Sequence, residues 1–279
     1  MNNFKRWLCA FAVLLLLTSL PGVMSGEKLG SLRIRCFKIG KADAYLLLTD
    51  SQAVLIDAGE EDDAQEIIAY LGEHEIPALD CLILTHFDKR SIGGVPELLG
   101  AVKVTQVLMP DYDKAGNLAV LVQGMLETQK TQKVTQRTVL DYGSARFTVL
   151  PAQKAVYQED EDNDYSLVVS VSHGRNSFFF AGDIMSERIA EMSQDGLLTP
   201  HTFIKMPCHG QNISGLDQLL DAVQPQIAVI PASRKNPPAG AVLANLEARG
   251  VRFYITMEGS VTLISDGYQV TVTQKPPAP

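Results

Sequence analysis

Leu82 to Gly94 reads LILTHFDKRSIGG. Its first residues are an apolar run that fits a strand buried on both faces. The run stops on His86, and Asp88 follows two positions later. On an extended backbone, side chains two apart point to the same side. An imidazole beside a carboxylate suits a borderline cation such as zinc, manganese or iron. Gly93-Gly94 then predicts a sharp turn next to the ligands. Arg90 and Ser91, between the two ends, add nothing to such a cation's shell.

Three other apolar runs stop in the same way. Asp57 ends LIDAG, Asp183 ends FFAGD and His209 lies in KMPCHGQ. Sites gather in loops at the ends of strands. Any one of these endings is ordinary, and four in one chain point to a shared pocket. Of the remaining histidines, His74, His173 and His201 fall outside these endings and read as surface residues.

The chain has 279 residues, 46% hydrophobic and 20% charged, which is globular composition with room for a large core. Residues 1–25 differ. Lys5 and Arg6 precede an apolar run from Trp7 to Leu20, and small residues lead to Ser25. This is the pattern of a secretory signal cleaved near Ser25. An uncleaved N-terminal membrane anchor is the alternative, although the run falls short of the roughly 20 residues that span a bilayer. Cys9 lies inside the run and does not read as a lipid-attachment site. Either reading puts the remainder outside the cytoplasm.

Removing residues 1–25 takes away Lys5 and Arg6 and no acid, leaving 22 basic against 32 acidic side chains, a net charge of −10. Such a surface repels phosphate backbones, which excludes non-specific nucleic-acid binding as a main activity. A small phosphoester held by a local site stays open as a ligand. No multi-span membrane region is present. Cys36, Cys81 and Cys208 remain, an odd number that gives no disulfide framework.

Strands and helices alternate over residues 30–274. The spacing predicts strands at LRIRCFKIG, AYLLLTD, AVLIDAG, DCLILTH and VTQVLMP, and helices at DAQEIIAYLGEHE and NLAVLVQGMLETQ. A second half starts near Lys133 with a hairpin at QRTVLDYG and RFTVLPA, then an acidic loop, VYQEDEDNDY. That loop lacks the glycine and final glutamate of an EF-hand and reads as solvated. Both halves run strand-then-helix. The fold class is α/β, a four-layer αββα sandwich with two mixed sheets face to face and helices outside.

The order of these motifs resembles the metallo-β-lactamase superfamily, and more narrowly the corresponding domain of competence proteins of the ComEC type. The resemblance covers about Leu32 to Val272. The family's loop T-H-x-[HD]-x-D-H-x-G-G is matched by Thr85 to Gly94, with Asp88 as in the competence-type version. NDYSLVVSV matches the family's NDxSLV, AGD its TGD, and IKMPCHGQ its LKxxHHGS. The departures are equally specific. Arg90-Ser91 replace an Asp-His pair, Cys208 replaces a histidine, and Pro237 stands where a late histidine is expected.

The resemblance implies metal ligands at His86, Asp88 and Asp183, with Asp183 bridging, and His209 as a ligand or a nearby donor. Asn163 or Asp164 are candidates to complete the shell. A full two-metal site cannot be built from these residues, so the expected cofactor is one divalent metal, zinc or manganese, or none. Asp88, Arg90, Lys205 and His209 are the candidate catalytic residues. If the loop stays extended, the Arg90 guanidinium points into the pocket and pairs with Asp183 in place of a metal. Cys208 reads as a soft ligand or a small buried residue. The implied function is a secreted or surface relative of metal-dependent (phosphodi)ester hydrolases with weak or lost hydrolysis. The alternative is a non-catalytic module that binds a ligand or partner on the same scaffold.

Overall fold

A computed structural model describes residues 29–158 and 161–275. The expected signal at residues 1–25 lies outside the described residues. No helix among them is long and apolar enough to cross a membrane.

The first sheet starts with an antiparallel meander, β1 (Leu32–Cys36), β2 (Tyr45–Leu48) and β3 (Ala53–Ile56). Helix α1 (Ala64–Glu73) follows, burying Ile67 and Leu71 on one face. After the short β4 (Ala78–Leu79), β5 (Cys81–Ile83) pairs parallel with β3. The loop beyond β5 winds into α2 (Lys89–Ile92) and α3 (Val95–Ala101). Then come β6 (Lys103–Val104), which pairs with β4, and β7 (Val107–Pro110), parallel to β5. Helix α4 (Asn117–Leu126) leads to β8 (Thr131–Val134), the edge of this sheet.

The second sheet is built from β9 (Thr138–Tyr142), β10 (Ala145–Leu150), β11 (Val168–His173) and β12 (Asn176–Phe180), all antiparallel neighbours. The acidic segment between β10 and β11 forms a one-turn helix, α5 (Glu161–Asp164), where a loop was expected. Helix α6 (Ser186–Gln194), β13 (Phe203–Lys205), α7 (Leu216–Val223), β14 (Ile227–Ile230), α8 (Gly240–Ala248) and β15 (Arg252–Ile255) continue it as parallel crossovers. The last hairpin, β16 (Val261–Ser265) and β17 (Val270–Gln274), returns to the first sheet beside β1.

The αββα sandwich expected from the motif order is the architecture found. The alternation along β12 shows why. Phe178 and Phe180 face the core between the sheets with Phe147 and Phe203, while Phe179 faces the outer helices with Ile189 and Leu219. A period of two puts one phenylalanine on each side in turn, and each fully buried ring contributes about 1.5–3 kcal/mol.

Two local expectations change. Gly93 and Gly94 have φ of −58° and −79°, so neither makes a left-handed turn. They are needed for close approach instead: a Cβ on Gly94 would lie 2.2 Å from the Ala58 carbonyl oxygen. His173 and His201 are buried rather than on the surface. His173 bonds Ser265, the Gly30 carbonyl and Ser144, and His201 bonds Ser170 and the Thr199 carbonyl.

Candidate metal centre

The site lies where the carboxyl ends of β3, β5, β12 and β13 meet between the two sheets. β3 stops on Asp57, held at φ 58°. Its carboxylate accepts the backbone N–H of Thr85 at 2.8 Å and the Thr85 hydroxyl at 2.7 Å. Burial, then the neighbouring Asp43 charge, pushes Asp57 well above the usual carboxylate range, against both bonds from Thr85. Asp57 therefore braces the loop and stays off the centre itself. Thr85 Oγ1 also lies 2.9 Å from His86 Nδ1. The ring is thus held on its Nδ1 side, and Nε2 is the atom presented to Asp183, 3.9 Å from Oδ2. Burial lowers the His86 pKa despite the carboxylates around it, so the neutral, metal-competent ring is favoured.

Asp183 divides its two oxygens between different neighbours. Oδ1 accepts from Lys205 Nζ at 2.9 Å and from the Cys208 backbone N–H at 3.0 Å. Oδ2 faces His209 Nε2 at 3.1 Å and His86 Nε2 at 3.9 Å. Burial alone would raise Asp183, but Lys205, then His209 and His86, hold it well below the usual range. The imidazole nitrogens make poor use of this proximity. His86 Nε2 and both His209 nitrogens are buried with no aligned hydrogen-bond partner, the 3.1 Å contact included.

His209 reaches this place through backbone strain. Cys208 and His209 both sit in the left-handed region, at φ 47° and 54°. That conformation costs a side-chain-bearing residue roughly 1–2 kcal/mol. It turns the Cys208 N–H and the His209 ring toward the same carboxylate. The Cys208 thiol donates to the Asp183 carbonyl at 3.2 Å, which ties the turn to the end of β12.

Asp88 and Arg90 depart from the expected geometry. The loop does not stay extended: it winds into α2, and Asp88 caps it. Asp88 Oδ1 accepts the Arg90 N–H at 2.9 Å, and Oδ2 lies 3.1 Å from the Arg90 guanidinium. Arg90 thus pairs with Asp88 and not with Asp183. Asp164, a candidate for the shell, is buried and accepts the backbone N–H of Met185 at 2.7 Å and of Arg188 at 3.3 Å. It anchors α6.

The position expected of Arg90 belongs to Lys205. Its ammonium donates to Asp183 at 2.9 Å, to Asp43 Oδ2 at 2.9 Å and to the Gly182 carbonyl at 2.8 Å. Asp43 is the one participant that the strand endings do not reveal. It sits in the turn between β1 and β2, 162 residues from Lys205, and its other oxygen accepts the Tyr45 hydroxyl at 2.6 Å.

Among the described residues, Asp43, Asp183 and His209 can each place one donor atom within 4.8 Å of the others. Both Asp43 oxygens are already taken, by Tyr45 and Lys205, so Asp183 Oδ2 with His86 Nε2 and His209 is the set that fits one divalent ion: the buried imidazole nitrogens without an aligned hydrogen bond are the observation that favours it. They do not fit two. Arg90 and Ser91 supply no second carboxylate or imidazole, and an ammonium already stands between Asp43 and Asp183. Asp43, His86, Asp183, Lys205 and His209 are all at most 3% exposed.

Comparisons with known proteins bear on the family and the fold. The metallo-beta-lactamase superfamily model matches residues 39–230. The chain is 26% identical over 234 residues to "Recombination protein 2" of Haemophilus influenzae, covering 82% of this chain and 28% of that protein. It is 27% identical over 191 residues to "ComE operon protein 3" of Bacillus subtilis, covering 67% and 24%. The chain therefore spans about a quarter of the length of these curated relatives. Among solved structures, the metallo-beta-lactamase fold protein YhfI of Bacillus subtilis superposes with a TM-score of 0.54 at 14% identity, covering 81% of this chain and 96% of that one. A putative metal-dependent hydrolase of Parabacteroides distasonis gives 0.55 at 14% identity, covering 82% and 94%. At such identity these two speak for the fold alone.

Proposed function

The chain belongs to the metallo-beta-lactamase superfamily, and from that membership we propose a ComEC-like relative of metal-dependent (phosphodi)ester hydrolases that holds at most one divalent ion and hydrolyses weakly or not at all. The carrying observation is the donor count at Asp183. Only Oδ2 faces open imidazole nitrogens, because Oδ1 is taken by Lys205 and Cys208. His86, His209 and Asp183 would hold the ion, which is zinc or manganese by donor type. Such an ion supplies Lewis-acid polarisation of an ester oxygen or a more acidic bound water. The chain's own part is to orient the two rings, His86 through Thr85 and His209 through the strained turn. The apolar start of the chain supports a place outside the cytoplasm.

The burial of these side chains favours a second reading, a non-catalytic module in which the former centre serves as a polar core. Metal analysis of the full chain, purified without chelator, tests the first reading together with turnover of bis(p-nitrophenyl) phosphate. The expected result is about one equivalent of zinc or manganese, lost in His86→Ala, with slow turnover or none. Two equivalents with rapid turnover would refute it, and no metal after loading would leave the binding module as the answer.

A further inference from the structure

We infer that the outward face of α4 and the carboxylates beside it form a docking groove for a cationic amphipathic segment of a partner protein. The inference goes beyond the single-ion reading and does not depend on it, because no groove residue belongs to the candidate centre.

Helix α4 is apolar on both sides. Residues 117–126 carry no charged side chain. Ala119, Val122 and Leu126 face the core. Val120 and Leu121, on the other side, are 63% and 54% exposed. Among the described residues they are the only two large exposed apolar side chains that are adjacent in sequence. A helix that is apolar all round is normally covered all round. An exposed apolar patch with a polar rim marks an interaction surface.

The rim defines the chemistry of the partner. Leu118 and Leu121 share an open groove of about 580 Å³ with Glu60, Glu61, Asp62 and Glu97. Lys89 is the one basic side chain along it, 70% exposed and 3.9 Å from Glu60. Four carboxylates less one ammonium leave a formal charge of −3 beside the apolar ridge. A helix with lysine or arginine on one face and aliphatic residues on the other matches both parts at once. Opposite charge speeds its approach and rejects acidic rivals. An anionic lipid surface is repelled by the same carboxylates. A second copy of this chain, joined two-fold through α4, would bring two acidic rims together. The groove also touches the loop that carries His86. It includes Gly93, where a Cβ would lie 2.7 Å from the Glu61 nitrogen and 2.8 Å from the Glu60 Cα. An occupant would therefore rest on that loop without entering the buried centre.

The test is fluorescence anisotropy of a labelled peptide of about 18 residues, lysine and leucine at helical spacing, titrated with the full chain. Glutamate–leucine and shuffled lysine–leucine peptides are the comparisons, and only the amphipathic lysine–leucine peptide is expected to bind. Val120→Ser/Leu121→Ser is expected to weaken binding about tenfold through lost apolar burial. Glu61→Lys/Asp62→Lys is expected to weaken it about tenfold and to flatten its salt dependence. Glu73→Lys/Glu75→Lys makes the same charge change at the other end of α1 and is expected to stay within about twofold of the parent. All of these side chains are exposed, so the variants keep the fold, which circular dichroism checks. Equal binding of the shuffled peptide, unchanged binding in Val120→Ser/Leu121→Ser, or equal weakening by Glu73→Lys/Glu75→Lys overturns the inference. Binding to phosphatidylcholine–phosphatidylglycerol vesicles that Val120→Ser/Leu121→Ser abolishes would make the face a membrane contact and overturn it. A dimer in sedimentation that the same variant dissolves would make it a self-interface and overturn it too. The single-ion reading is judged on metal content alone, so either can fail without the other.

Discussion

Replacing Gly94 by alanine tests the packing that holds the His86 loop in place. The new Cβ would start 2.2 Å from the Ala58 carbonyl oxygen and 3.2 Å from the Ala64 methyl. Ordinary carbon–oxygen contacts are about 3.3 Å or longer, so the two backbones must separate by about 1 Å. Two hydrogen bonds cross that gap, Ala58 N–H to the Ser91 carbonyl at 2.8 Å and Gly94 N–H to the Gly59 carbonyl at 3.1 Å. Each contributes about 0.5–1.5 kcal/mol net, and overpacking adds about 1–3 kcal/mol. If half of the bonding is lost, the total is about 3 kcal/mol. For a domain of this size that lowers the midpoint of thermal unfolding by roughly 6–12 °C. Gly124→Ala is the control. It lies inside α4, where a Cβ meets nothing within 4 Å, and alanine there is expected to stabilise by about 0.5–1 kcal/mol. Thermal and urea unfolding of both variants reads the difference. A Gly94→Ala protein within about 0.5 kcal/mol of the parent, or a Gly124→Ala protein equally destabilised, would refute the close-approach argument.

Other expectations concern the surroundings of the site. Burial raises Asp63 from 3.8 to about 6 while its carboxylate accepts the Glu60 N–H at 2.8 Å. Its folded value lies above its unfolded one, so its contribution to stability is present below about pH 4 and is lost as pH rises through 6. The group is half exposed, so screening leaves on the order of 1 kcal/mol. Asp63→Asn should flatten the stability profile between pH 4 and 6, and an unchanged slope in urea unfolding would count against it. Arg188 is fully buried, bonding Glu191 and the Leu150 and Pro151 carbonyls. Arg188→Leu leaves the Glu191 carboxylate without its cation, held only by the Tyr157 hydroxyl and the Gln153 N–H, and should cost about 3 kcal/mol, whereas Arg188→Leu with Glu191→Leu should recover much of it. Double-mutant unfolding that shows simple additivity would contradict that coupling.

The parts of the site that can be read in the sequence are those with a local signature. Asp57, His86, Asp183 and His209 each end an apolar run: Asp57 and His86 follow the neighbouring strands β3 and β5 of the first sheet, Asp183 and His209 the neighbouring strands β12 and β13 of the second, and all but Asp57 face one another. Asp43 has no such signature. It sits in a turn, and what makes it important is a lysine 162 positions away. Lys205 is legible as a motif residue, but its three partners come from separate segments of the chain. The misread of Asp88 has a different cause. A four-residue helix is too short to show a period, so the loop looks extended and the capping role of Asp88 goes unseen. Likewise His173 and His201 are polar residues in half-exposed contexts by sequence, and only partners from distant segments explain their burial.

The left-handed pair Cys208 and His209 has a consequence for anyone who evolves this protein in the laboratory. The pair stores roughly 2–4 kcal/mol of conformational energy, held in place by the thiol bond to the end of β12 and the contact with Asp183. A glycine at either position would release part of it. Selection for heat resistance alone would therefore reach this turn early, and a gain at His209 would remove an imidazole from the candidate centre, whereas Cys208→Gly keeps the backbone N–H to Asp183. A library screened for thermostability should carry a metal-retention screen beside it, because at His209 the sturdier variant is the one that lacks an imidazole proposed to hold the ion.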